Sequence, residues 1–209
     1  KKIAKQKHKK LVAIGEIGLD YYWEEPEHEI QKIWFKRQLE LARELKKPVI
    51  IHSREAAADT YKIMKEEKAD KLNGVIHCFS YTKETARDYL NWNYYFGIGG
   101  VVTFKNSNLY KVVETVGLKN IVLETDSPYL TPHPFRGMQN SSKYIPIIAE
   151  FMHERKEILT LEVSTIVEYI GILGIILKVT MGDFSCFTLT NTFKHPIIYF
   201  NYPIYKDEF

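Results

Sequence analysis

The chain is expected to fold as an α/β protein around a parallel sheet, and three observations lead there. Five short apolar runs rich in Val and Ile recur between Leu11 and Leu130. Their apolar residues do not alternate with polar ones, as in strands covered on both faces. Longer stretches with helical spacing separate them, the signature of βαβ units. Composition agrees: 209 residues, 45% hydrophobic and 26% charged, suffice for one sizeable core. Right-handed crossovers then give a parallel sheet, open or closed.

The first run is LVAIGEIGLD from Leu11. HEIQKIWFKRQLELARELKK follows, placing Ile30, Trp34, Leu41 and Leu45 on helical spacings with Phe35, Leu39 and Ala42 alongside; Pro48 is its stop signal. PVIIHSRE is the second strand, and residues 56–68 carry a weaker helical pattern. GVIHCFS from Gly74 precedes a helix over 83–90, and YYFGIGG from Tyr94 precedes one over 107–116. IVLETDSPYL from Ile121 is the fifth strand. Past residue 168 the composition changes: residues 169–209 hold six charged and nine aromatic side chains. IILKVTM and FTLTNTF there lean towards β structure without continuing the rhythm, and covering a sheet edge is one expectation for them. The division expected is therefore 1–168 as the α/β domain and 169–209 as an aromatic-rich tail.

Cys78 and Cys186 lie far apart, so no disulfide framework is read and a reducing compartment is expected: the cytoplasm, or the nucleus in a eukaryote. Basic residues number 29 and acidic ones 26, but six lysines fall in the first ten positions, leaving a mildly acidic body. Nucleic-acid contact would then come from a localised site rather than a broad basic face. The lysine cluster reads as the solvated end of a helix. No signal-peptide pattern follows it, and the most apolar stretch, residues 169–177, falls short of the roughly 20 residues a membrane span needs, so no membrane association is expected. The absence of an initiator Met reads as the start of a fragment or processed form.

Charged residues inside buried strands are costly unless a partner or a metal compensates them. Glu16 lies in AIGEIGLD, His52 ends VIIH, His77 ends GVIH and Asp126 ends IVLETD. The C-terminal ends of parallel strands face one rim, so these four residues are expected to converge. Two imidazoles with two carboxylates suit a hard or borderline divalent cation that activates a nucleophile, and differ from a cysteine-rich structural site. Glu124, two residues before Asp126, is expected on the opposite face of its strand and is left unassigned. Asp20 reads equally as a helix or loop cap.

AIGEIGLDYYW, QLELARELKKPVIIHSREA, GVIHCFSYTKETA, YYFGIGGVVTFKN and IVLETDSPYLTPHPFRG, five blocks in order, closely resemble the TatD family of metal-dependent deoxyribonucleases from about Leu11 to Val167. The resemblance implies a (β/α)8 barrel of TIM-barrel type and one or two divalent ions (Mg, or Zn or Mn) at its C-terminal rim. It also implies hydrolysis of DNA phosphodiester bonds. Carried over by motif, Glu16 is the bridging glutamate, His52 and His77 are histidine ligands, and Asp126 both binds metal and handles the proton of the attacking water; Glu16 and Asp126 are the catalytic pair. The HxH pair of the family's first strand has no counterpart here, so the chain is expected to start within the second helix and to lack strands one and two. Its C-terminal end departs as well, and Met138-Gln139 stands where the family usually carries basic residues.

Arg54 and Arg136 are candidates to hold phosphate oxygens, because a guanidinium donates two parallel hydrogen bonds. His133, in the loop PHPFRG, is a further substrate-contact candidate, and Phe79, Phe104 and Tyr129 are candidates to stack on bases. DNA is thus the expected substrate and partner. An inert barrel remnant that binds DNA or protein is the alternative. A related hydrolase acting on amides or lactones is disfavoured, since no lysine is placed at a strand end to become a carboxylated metal bridge.

Overall fold

The computed structural model describes residues 11–154 and 197–199. The lysine cluster, IILKVTM and FTLTNTF, and the expected boundary at 168 lie outside them. The described chain divides into two compact units, residues 11–74 with 197–199, and residues 75–154.

In the first unit, β1 (Leu11–Asp20) and β2 (Val49–Arg54) run parallel, joined by α1 (His28–Leu45); α2 (Ala57–Glu66) follows β2. Ile17 pairs with Ile51, Gly18 with His52 and Asp20 with Arg54, after a register irregularity between Ile14 and Ile17. A third strand, which the expected rhythm did not include, spans Ile197–Tyr199 and pairs parallel with the other side of β1. Ala13, Ile14, Ile17 and Leu19 of β1 and Val49, Ile50 and Ile51 of β2 are fully buried, as expected for strands covered on both faces. Gly18 has φ of 149°, and a Cβ there would collide with the backbone carbonyl of His52, so only glycine lets β1 approach β2 beside that histidine.

Helix α1 begins and ends close to where the periodicity places it, but its inner face is different. Phe35, Leu39, Leu41 and Ala42 are buried, whereas Ile30, Ile33 and Trp34 are exposed. The Phe35–Leu39–Ala42 row sits at spacings of four and three, and one unbroken stripe packs on the strands. Of the expected stripe, Ile30 and Trp34 therefore lie off the core, while Leu41 is buried. Lys46 in the left-handed conformation closes the helix before Pro48, and the Lys47 amide donates to the Ala42 carbonyl at 3.0 Å.

The second unit carries β3 (Gly74–Ile76), β4 (Tyr95–Ile98) and β5 (Ile121–Leu123), parallel and adjacent in that order, with α3 (Lys83–Leu90) and α4 (Leu109–Val116) as crossovers. Thr82 caps α3, its hydroxyl accepting from the Thr85 amide. Gly117, at φ 73°, ends α4. The ladder continues past the strand ends: the Phe79 amide donates to the Gly97 carbonyl at 3.0 Å and the Glu124 amide to the Ile98 carbonyl at 3.2 Å. A fifth helix, α5 (Ile145–Glu154), follows the long loop after β5. All five expected strands thus form, each parallel to a neighbour, which is the α/β pattern predicted. Among the described residues no helix is long and apolar enough to cross a membrane.

Denaturant unfolding distinguishes the buried from the exposed face of α1. Leu39→Ala is expected to cost about 2–5 kcal/mol through lost burial and a cavity. Ile30→Ala is expected to stay within about 0.5 kcal/mol.

Candidate metal centre

In the first unit the site is built at the paired exits of β1 and β2. Glu16 lies mid-strand on β1, earlier than a strand end, while Asp20 is the terminal residue. His52 lies two residues before the end of β2. The His52 ring stands between two carboxylates: Nε2 lies 3.0 Å from Asp20 Oδ2, and Nδ1 lies 4.0 Å from Glu16 Oε2. The first is a hydrogen bond; the second is too long for one. It falls within the span of two ligands each about 2 Å from a common ion. Burial pushes the Asp20 carboxyl up, but the His52 hydrogen bond, the charge of His52, the Tyr22 amide and Arg54 outweigh it and hold the carboxyl below its ordinary value. Asp20 therefore both caps the turn after β1, accepting from the Tyr22 amide at 3.1 Å, and orients the histidine.

Two groups not singled out in the sequence fix this strand exit. Gln31 on α1 accepts from the Asp20 amide at 2.8 Å and donates from Nε2 to the carbonyls of Asp20 and Pro26, both at 2.9 Å. Next to it, the Tyr21 hydroxyl donates to Asp59 Oδ2 at 2.6 Å, and Lys32 lies 2.9 Å from the same oxygen. Burial and the bond to Asp59 push the Tyr21 phenol up to about 12. A glutamine in mid-helix gives no sequence signal of such a role, because its partners are main-chain atoms 5 and 11 residues away.

In the second unit His77 directly follows β3 and is 3% exposed. Its Nδ1 lies 2.8 Å from Glu124 Oε2, and its Nε2 lies 3.2 Å from Asp126 Oδ1. Glu124 overturns its expected orientation. It is 3% exposed, turned towards His77, and its other oxygen accepts from the Cys78 amide at 2.5 Å. The space for its carboxylate exists because residue 97 on β4 is glycine: a Cβ there would stand among the Glu124 carboxylate atoms. Asp126 lies three residues beyond β5 in the left-handed region (φ 56°), which aspartate tolerates better than most residues. Buried Asn140 braces this loop, donating from Nδ2 to the carbonyls of Thr125 at 2.7 Å and Tyr129 at 2.5 Å.

The structure thus brings Glu16 to His52 within one unit, and His77 to Asp126 within the other. A separate cleft of about 450 Å³ along Phe104–Asn108 includes none of these four residues.

Residues 1–170 match the family described as TatD related DNase. The chain belongs to that family. A metal-dependent hydrolase of uncharacterised function from Bacillus subtilis, YabD, is 45% identical over 160 residues, 76% of this chain and 63% of its own length. The Escherichia coli K12 protein YcfH, also described as an uncharacterised metal-dependent hydrolase, is 41% identical over 158 residues, 75% of this chain and 59% of its own. Among solved structures, the TatD homologue YJJV from Escherichia coli superposes with a TM-score of 0.74 at 27% identity, covering 82% of this chain and 67% of that one. The predicted fold class, parallel α/β of the TIM-barrel type, is therefore the one this TatD-family chain has. The chain spans about three-fifths of the length of the curated relatives it matches.

The predicted substrate contacts of this TatD-family chain divide unevenly. Arg54 is exposed, with its guanidinium 3.7 Å from the centre of the Tyr22 ring. Arg136 is exposed and lies 3.9 Å over Phe104. His133 is exposed, its amide donating to Thr103 Oγ1 at 2.8 Å. Tyr129 is exposed, but Phe79 is buried in the core, perpendicular to Phe96 at 5.2 Å, and is removed from the stacking candidates.

Two tests follow from these bonds. Because the folded Tyr21 phenol titrates above its ordinary value near 10, its contribution is complete below pH 10 and is lost as pH rises towards about 12. Stability measured across that range should fall in the wild type and fall less in Tyr21→Phe. Glu124→Ala takes the acceptor from one buried and one half-buried donor and is expected to cost about 1–3 kcal/mol, read by chemical denaturation.

Proposed function

We propose that Glu16 and His52 in one unit, and His77 and Asp126 in the other, are ligands to divalent ions, and that the protein containing this chain hydrolyses DNA phosphodiester bonds. The observation that carries the reading is the repeated carboxylate–imidazole arrangement. In each unit one ring nitrogen bonds a carboxylate, Asp20 or Glu124, while the other nitrogen is turned towards a second carboxylate, Glu16 or Asp126. A histidine that donates one N–H to a carboxylate offers the lone pair of its other nitrogen to a metal, in a fixed orientation and with raised basicity. The donor set fits a divalent cation, with no cysteine among it.

A divalent ion bound there would lower the pKa of the attacking water and offset charge growing on the phosphoryl oxygens. The chain's own residues supply the rest. Asp126, whose side chain is 38% exposed and so reachable from solvent, accepts the proton of the attacking water. Glu16, 21% exposed, holds its ligand position from the rigid middle of β1. Asp20 and Glu124 keep the two imidazoles in one tautomer. Arg54, Arg136 and His133 are the phosphate contacts, each arginine presenting its N–H edge from an aromatic ring. The cytoplasm is the working compartment that suits a chain with two cysteines far apart in sequence.

The test is degradation of labelled DNA with Mg, Mn or Zn added in turn. Cleavage is expected only with a divalent ion and is abolished by EDTA. Asp126→Ala should lower kcat by about 100-fold or more while keeping the thermal melt. Metal-independent cleavage would overturn the reading, and DNA binding without cleavage under any metal would mark an inert remnant.

A further inference from the structure

The turn after β1 exposes two large aromatic side chains in succession, Tyr22 at 51% and Trp23 at 59%. The rings are perpendicular with centroids 4.9 Å apart. Arg54 covers Tyr22 from the neighbouring strand, held there because the Tyr21 amide donates to the Arg54 carbonyl at 2.9 Å. Solvent-exposed aromatics cost hydration free energy, and contiguous ones on an ordered turn mark contact surfaces. This turn is ordered by construction: the Tyr22 amide is tied to Asp20, and Asp20 is clamped by Gln31. The same Asp20 holds His52, so the aromatic pair stands next to the candidate metal ligands.

We infer that Tyr22, Trp23 and Arg54 form a shelf for an unpaired nucleobase of single-stranded DNA, an inference that rests on the proposed DNA-hydrolysing function. An aromatic face stacks on any base, and a guanidinium lying on a ring keeps its in-plane N–H groups for a phosphate, so the trio matches one nucleotide. A base within a duplex has its faces covered by its neighbours and cannot use the shelf. Exposed Glu24 and Glu25 follow Trp23 and repel phosphate on that side, which sends the nucleic-acid backbone along the Arg54 side. Trp23 acts in specificity and positioning, with no part in the bond-breaking step.

The test uses the full chain in EDTA, so that binding is read without hydrolysis. Fluorescence anisotropy would compare a labelled eight-nucleotide oligo(dT) with the same backbone made of abasic units. Wild type should bind oligo(dT) about ten-fold more tightly, in line with the stacking of one base. Trp23→Ala should bind both alike, and Trp23→Phe should recover most of the preference. Arg54→Ala should weaken both oligonucleotides together, since it holds phosphate. Equal binding of the two oligonucleotides by wild type, or a preference untouched in Trp23→Ala, overturns the shelf. Neither result bears on metal-dependent cleavage, which the Asp126→Ala assay reads separately. Conversely, a preference lost in Trp23→Ala with no cleavage by wild type keeps the shelf and removes the nuclease reading.

Discussion

The constraint on which the candidate site depends is the cost of taking a carboxylate and an imidazole out of water together. Glu124 and His77 are both almost wholly buried, and such a pair survives only if each remaining polar atom is met. The Cys78 amide meets the second oxygen of Glu124, and the missing side chain at Gly97 makes room for the carboxylate. Breaking any member leaves a buried polar atom to be desolvated without return. Asp20 and His52 repeat the pattern in a wetter setting, where Arg54 and the Tyr22 amide add to the attraction.

Parallel strands supply the second ingredient. Three residues with left-handed backbone, Glu55, Cys78 and Asp126, come shortly after β2, β3 and β5. Such conformations cost a non-glycine residue about 1 kcal/mol or more and persist where surrounding bonds over-determine them. Here the surrounding bonds are visible: Glu124 accepts from the Cys78 amide, and Asn140 spans the loop on both sides of Asp126.

Rigidity at these exits bears directly on the chemistry proposed. A histidine oriented by a carboxylate needs no reorganisation to accept a cation, and a ligand on the middle of a long strand, as Glu16 is, moves little. The exposed arginines differ in character. Arg54 and Arg136 lean on aromatic rings, which restricts their rotamers and lowers the entropy lost when a phosphate is gripped.

The sequence alone determined the five strands, the helices between them and four of the residues that meet carboxylate or imidazole partners. It could do so because burial of unalternated Val and Ile runs is a local property, and because Glu16, His52, His77 and Asp126 each break such a run. It also carried the family, through the order of its motif blocks. Tertiary structure alone decided which face of α1 is inside, because Trp34 and Phe35 are equally apolar and only the strands beneath choose between them. It alone fixed the direction of Glu124: alternation would put Glu124 and Asp126 on one face, but β5 ends at Leu123, and the bond to His77 decides where the carboxylate points. Asp20, Gln31 and Asn140 acquired their roles from partners distant in sequence, through hydrogen bonds whose geometry exists only after the chain has folded.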